Sequence, residues 1–314
     1  MARKQGKVGE QKSVILQRIP KACADERAAV EFIEELRWGG EPACPRCGDI
    51  NVRQMQDREG NRNARFLWRC YGCKKQFTVR IGTIYEDSRI PLRIWCHAFW
   101  RACSSKKGVS ALQISRETGV SYKSALFLMH RIRFAMSEGP GPAKLRGIVE
   151  ADEAYIGGKP RKGAYFTRNK KVEKVPVFAA VERGGRVRAR PMERVTAHSV
   201  GPALIEFVDD TAEIHTDESS VYRWLDSPWL GGHQSVNHSA REYARGPVTT
   251  NSVEGFFSLL KRGIYGTFHS VSKEHLHRYV DEFTFRYNTR ELDDGERTLE
   301  AIRNAEGKRL LHRG

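Results

Sequence analysis

GIVEADEAYIGG, residues 147–158, is where the hydrophobic period of this chain changes. Upstream, from 91 to about 137, apolar residues recur at helical spacing in PLRIWCHAFWRAC and SALQISRETGVSYKSALFLMHRIRFAM. SEGPGPAKLRG, 137–147, then reads as a linker because it is rich in Gly and Pro. The quoted stretch alternates as a strand. Its Glu150 and Asp152 share one face, and Val149, Ala151 and Glu153 share the other. VPVFAAVER and RVRARPMERV follow as two strands joined by a turn at Gly184-Gly185. Next come a helix around 200–209, a short strand AEIHTD, a small helical piece at 219–225 and a possible strand HQSVNHS. TNSVEGFFSLLKRG, 250–263, and KEHLHRYVDEFTFRYNTR close the series as helices. The order β-β-β-α-β-α-β-α predicts a mixed α/β core.

The rest of the chain fits several domains. At 314 residues it is too long for one small domain, and its 39% hydrophobic and 10% aromatic content allows real cores. Its 54 Lys+Arg against 38 Asp+Glu leave a formal charge of +16. Such an excess repels itself unless it meets a polyanion, so nucleic acid is the leading partner. A membrane is not expected, because no long apolar run or basic amphipathic anchor stands out. MARKQGKVGEQK lacks the apolar stretch of a signal peptide, which predicts an intracellular, cytoplasmic protein, and a nucleic-acid partner would make it nucleoid-associated. Its cysteines should then be thiols or metal ligands and not a disulfide framework.

Cys44-Pro-Arg-Cys47 and Cys70-Tyr-Gly-Cys73 are two C-x-x-C knuckles, with Gly48 and Gly72 supplying tight backbone. Each can place two thiolates on one ion. Together they close a tetrahedral shell with no open position, which predicts a structural zinc. Four unrelated buried thiols or a redox pair explain the repeated spacing less well. Cys96 and Cys103, on one apolar helix, read as core. Asp25 is placed to cap a helix carrying Ala29, Phe32, Ile33 and Leu36, with Gly39-Gly40 as its stop.

SALQISRETGVSYKSALFLMHRIRF resembles a helix-turn-helix. Ala111, Leu112 and Ile114 fill the first helix, Gly119 allows the sharp turn and Val120 packs inward. Ser121 caps a second helix that exposes Tyr122, Lys123 and Ser124 near its start, where DNA-contacting side chains belong. A purely structural helical hairpin is the alternative.

Asp152, Asp217 and Glu254 stand on a first strand, the end of AEIHTD and a late helix. Several carboxylates converging from different elements are what a two-metal phosphoryl-transfer site needs. Each acid alone reads as solvated surface. On the late helix, Lys261 follows Glu254 by seven residues and returns to nearly the same face.

VEADEAYIGGK, HTDESSVY and TNSVEGFFSLLKRG are similar to the three acidic signatures of bacterial insertion-sequence DDE transposases with an N-terminal zinc ribbon. HLHRYVDEFTFRYN resembles that group's closing helix, and CPRCG with CYGC its ribbon. The similarity runs from about residue 24 to 305. It implies an α/β, ribonuclease H-like catalytic core, a mixed sheet flanked by helices, preceded by the zinc ribbon and the helix-turn-helix-like segment. It implies Asp152, Asp217 and Glu254 as ligands of two Mg²⁺ or Mn²⁺ ions, and Lys261 as a contact to DNA phosphate. Asn251, one turn before Glu254, is the alternative third ligand. The resemblance implies metal-dependent cleavage of double-stranded DNA at transposon ends and strand transfer into target DNA, by a homo-oligomer assembled on that DNA. A DNA-binding regulator and a structure-specific nuclease are the other readings. The expected organisation is a basic tail over 1–24, helix plus ribbon over 25–90, a helical DNA-binding segment over 91–140 and a catalytic domain over 147–314.

Overall fold

The computed structural model describes residues 17–139, 141–157, 174–226, 229–240, 242 and 244–310. The chain forms two compact units, one of residues 1–136 with 291–314 and one of residues 137–290.

The first unit begins with helix α1 (Ile19–Ala24), whose Ile19 and Ala22 are buried. The sequence pattern assigns these residues to the tail; their apolar contacts make them part of the fold instead. Helix α2 (Glu26–Trp38) starts at Asp25, whose side chain accepts from the Ala28 N–H at 2.8 Å. It ends at Gly39, in the left-handed region. Strands β1 (Val52–Gln54), β2 (Trp68–Cys70) and β3 (Gln76–Phe77) make an antiparallel ribbon. Trp38, Trp68 and Phe77 pack behind it. Glu34 of α2 accepts from Trp68 Nε1 at 2.7 Å and Arg62 Nη2 at 2.5 Å, fastening helix to ribbon.

Helices α3 (Leu92–Ser104), α4 (Ala111–Thr118) and α5 (Tyr122–Met136) follow. Cys96 and Cys103 are buried on α3, as their apolar setting predicts. Gly119 turns α4 into α5 with φ at 75°. Leu112, expected inside, is exposed; Ala111 and Ile114 carry the packing of α4. Residues 291–314, expected to end the catalytic domain, belong to this unit. Their helix α9 (Asp294–Arg303) packs on α3, and Arg297 Nη1 donates to the Cys103 carbonyl at 3.1 Å.

The second unit is a five-stranded mixed sheet between helices. Its strands are β4 (Ile148–Ile156), β5 (Val175–Glu182), β6 (Val187–Pro191), β7 (Glu213–Asp217) and β8 (His233–Val236), in the order β6-β5-β4-β7-β8. β4 to β6 form an antiparallel meander, and β7 and β8 add in parallel. Helix α6 (Ala197–Phe207) covers one face, over Val149, Ala151, Phe178 and Ile214. A hairpin of β9 (Ala244–Arg245) and β10 (Val248–Thr249), which no sequence pattern marks, leads into helix α7 (Asn251–Gly263). That helix and α8 (Leu276–Asn288) cover the other face, over Ala154, Ile156, Val177 and Ala179. Odd residues of β4 therefore face α6 and even residues face α7, which is the alternation read from the sequence.

Candidate active site

Asp152 and Asp217 come together through strand register. Glu150 pairs with His215 across the parallel β4–β7 ladder, and two residues further on the same two strands carry Asp152 and Asp217. Asp217 thus ends its strand, and Asp152 stands mid-way along the longer neighbouring strand, at the level where β7 stops. Glu254 enters from the first turn of α7. Val253, Phe256, Phe257 and Leu260 are buried beneath that helix, with Leu259 half-buried, so Glu254 and Lys261 stay on its outer side.

Electrostatics link these groups. Burial pushes the Asp152 carboxyl up to about 6. The charges of Asp217 and Glu254 add to that rise, while the Glu153 N–H and the Lys261 ammonium oppose it. A buried acid with two other carboxylates acting on it marks a place that favours a cation. Each acid is also held locally. Asp152 accepts from the Glu153 N–H at 2.7 Å, Asp217 from the Ser219 N–H at 3.0 Å, and Glu254 from the Thr250 hydroxyl at 3.0 Å. Asn251 is exposed at the first position of α7.

Three residues at or beside this cluster lie within the first two acidic signatures but are not singled out by the sequence as site residues. Glu153 points to the α6 face, accepts from the Tyr222 hydroxyl and is pushed up to about 7, mainly by burial, with Asp152 and Asp217 contributing. Tyr222 is itself pushed well above its ordinary range by burial and by Glu153. Glu150 is fully buried against the start of α7. Alternation places it on the Asp152 face, within the first signature.

The four cysteines assemble as the spacing predicts. Their sulfurs all lie within 4.8 Å of one another, with Cys44–Cys73 at 3.8 Å and Cys47–Cys70 at 3.6 Å. A tetrahedron with Zn–S bonds of about 2.3 Å needs sulfurs about 3.8 Å apart, so the quartet has the dimensions of a zinc site. Gly48 adopts φ of 77°, and a Cβ at Gly72 would run into Asp49. Among the described residues no group of carboxylates closes to the spacing of the thiols. The three acids are more open.

Cationic side chains line both candidate DNA surfaces of the first unit. On the ribbon, Arg53 and Arg69 lie directly opposite on the exposed face, and Arg53 and Lys74 both approach the ring of Tyr71. Like charges so placed repel unless an anion lies over them. Tyr122 and Lys123 are exposed at the start of α5, and Ser124 is half-buried there, its N–H bonded to Ser121 Oγ at 3.2 Å. No helix among the described residues is long and apolar enough to cross a membrane.

Residues 144–288 match the ISXO2-like transposase domain, and residues 24–76 match the transposase zinc-ribbon domain. An uncharacterized protein in transposable element ISH50 of Halobacterium salinarum is 28% identical over 279 residues, which cover 85% of this chain and 92% of that protein. Among solved structures, a chain of the simian T-cell lymphotropic virus intasome in complex with PP2A regulatory subunit B56 gamma aligns at 15% identity with a TM-score of 0.28. That alignment covers 55% of this chain and 63% of the other, and it is too slight to bear on the fold.

Proposed function

The chain belongs to the insertion-sequence DDE transposases that couple a zinc ribbon to a ribonuclease H-like core, and from that premise we propose that it cuts DNA at transposon ends and joins them to a target. Asp152, Asp217 and Glu254 are proposed to hold two divalent cations, Mg²⁺ or Mn²⁺. The observation that carries this reading is the juxtaposition of Asp152 on β4 with Asp217 at the end of β7, and of Glu254 and Lys261 on α7, near enough for their charges to act on the Asp152 carboxyl. Ions held by these three carboxylates would supply activation of the attacking oxygen and stabilisation of the leaving one in an in-line displacement.

The chain's own residues have separable tasks. The three carboxylates supply negative charge from three elements, so none can move without altering the site. Lys261 offers an ammonium to a phosphate oxygen near the chemistry. The ribbon face and the start of α5 supply affinity through backbone contacts, and Tyr122, Lys123 and Ser124 lie where base edges are read.

Labelled terminal-repeat DNA with Mg²⁺ tests the proposal. The parent yields joined products. Asp152→Ala, Asp217→Ala and Glu254→Ala each abolish cutting and joining yet still shift the DNA. Lys261→Ala is milder. Tolerance of Glu254→Ala with inactivation by Asn251→Ala would move the third ligand to Asn251. Cutting without joining identifies a nuclease, and a shift without cutting by the parent identifies a regulator. Cleavage by all three acid variants would refute the assignment of the site.

A further inference from the structure

Helix α7 has a capping group that is not its own. Its N-cap residue Thr250 makes no side-chain capping bond to the helix backbone. Glu150 of β4 takes that place from across the core. One carboxylate oxygen accepts the N–H groups of Ser252 at 2.6 Å and Val253 at 3.2 Å, the second and third positions of the helix. The other accepts from Ser252 Oγ at 3.1 Å and from Arg183 Nη2 and Nε at 2.8 and 3.1 Å. A buried carboxylate at a helix N-terminus is favoured by the helix dipole and by the unpaired amides there. Arg183 balances its charge.

Arg183 reaches the other two elements as well. It bonds the Pro247 carbonyl at 2.8 Å and Thr249 Oγ1 at 3.2 Å, on the strand that enters α7, and His215 Nδ1 at 3.2 Å. His215 is two residues before Asp217, as Glu150 is two residues before Asp152. The pair therefore grips each acid-bearing element just behind its acid. Glu254 directly follows the capped Val253.

We propose that Glu150 and Arg183 are positioning residues that set the placement of α7, and through it the distance of Glu254 from Asp152 and Asp217, so that the pair governs divalent-cation affinity. This rests on the assignment of the three acids as ligands. Neither residue is a ligand itself, because Glu150 is closed off beneath the helix and fully engaged by donors.

A merely structural role would lower stability without singling out the metal. Mn²⁺ affinity of the full, zinc-loaded chain without DNA, read from the free-ion electron paramagnetic resonance signal, separates the two. Glu150→Gln turns a donor toward other donors, and Arg183→Met removes the shared fastening; each is expected to weaken Mn²⁺ binding about tenfold or more. Val200→Ala, on the buried face of α6, serves as the control of similar thermal destabilisation and keeps affinity within about twofold. If Glu150→Gln does not fold, Arg183→Met, whose side chain is 31% exposed, decides by the same criterion. Parental affinity in the pair variants, with affinity lost in Asp152→Ala, overturns this inference alone. Parental affinity in Asp152→Ala overturns the ligand assignment and this inference with it.

Discussion

Asp152 carries a cost when no metal is present. Its folded carboxyl titrates near 6 against an ordinary 3.8, mainly because it is buried. Between those values the folded chain binds the proton and the unfolded chain does not. Stability therefore falls as pH rises from about 4 to 6, by about 2–3 kcal/mol in total. Above pH 6 the full cost is present. Asp152→Asn should accordingly raise the Tm of zinc-loaded, magnesium-free protein at pH 7.5 and flatten this part of the pH profile. Thermal melts at several pH values check it, and parallel curves for parent and variant would contradict it. If Asp152 holds a metal as proposed, metal affinity should have the opposite pH dependence, since protons compete for the same carboxylate. The three acids and their order are legible in the sequence because each stands in a recognisable motif. The roles of Glu150, inside the first motif, and of Arg183, outside any, are not legible, because their partners are distant in sequence.

At the scale of elements, α7 is both anchor and tool, and its two inner glycines should respond oppositely to alanine. A Cβ at Gly263 would enter the ring of Phe283, where α7 and α8 meet. Gly263→Ala should cost about 1–3 kcal/mol through overpacking. Gly255 faces open space, so Gly255→Ala should gain about 0.5–1 kcal/mol in helix propensity. Denaturant midpoints of the two variants decide whether the contrast holds. The ribbon is an element of another kind, with three short strands around four sulfurs. Its small core of Trp38, Trp68, Phe77 and the cysteines is too slight to stand alone, so zinc binding is part of its folding free energy. Elemental analysis should find one tightly held zinc per chain. Cys73→Ser should release it and unfold the ribbon while the second unit keeps its transition. A zinc-free chain with an intact ribbon would contradict this.

Across the whole molecule, charge dominates. A net +16 draws DNA phosphates and releases their counterions, so affinity should fall by several decades between about 50 and 200 mM salt. A titration by fluorescence anisotropy measures the slope, and a flat response would argue against a DNA-binding role. Arg53→Ala with Arg69→Ala should make that slope shallower by about two, one for each phosphate no longer neutralised. The division into units also belongs to this scale. Residues 291–314 follow the catalytic core in sequence but fold with the first unit, because α9 finds its apolar partner on α3.

The sequence by itself determined the local elements. Period two placed β4 with Glu150 and Asp152 on one face, Asp25 and Gly39 bounded α2, and repeated C-x-x-C spacing announced the metal quartet. These are short-range effects, written within a few residues of where they act. Tertiary structure alone decided which acids serve which helix. Glu26 caps α3 through the N–H groups of Leu92 and Arg93, at 2.8 and 3.0 Å, and Glu150 caps α7. In both cases donor and acceptor are far apart in the chain. The physical reason is that an unpaired amide accepts any carboxylate the packing brings near, and packing is a property of the assembled core.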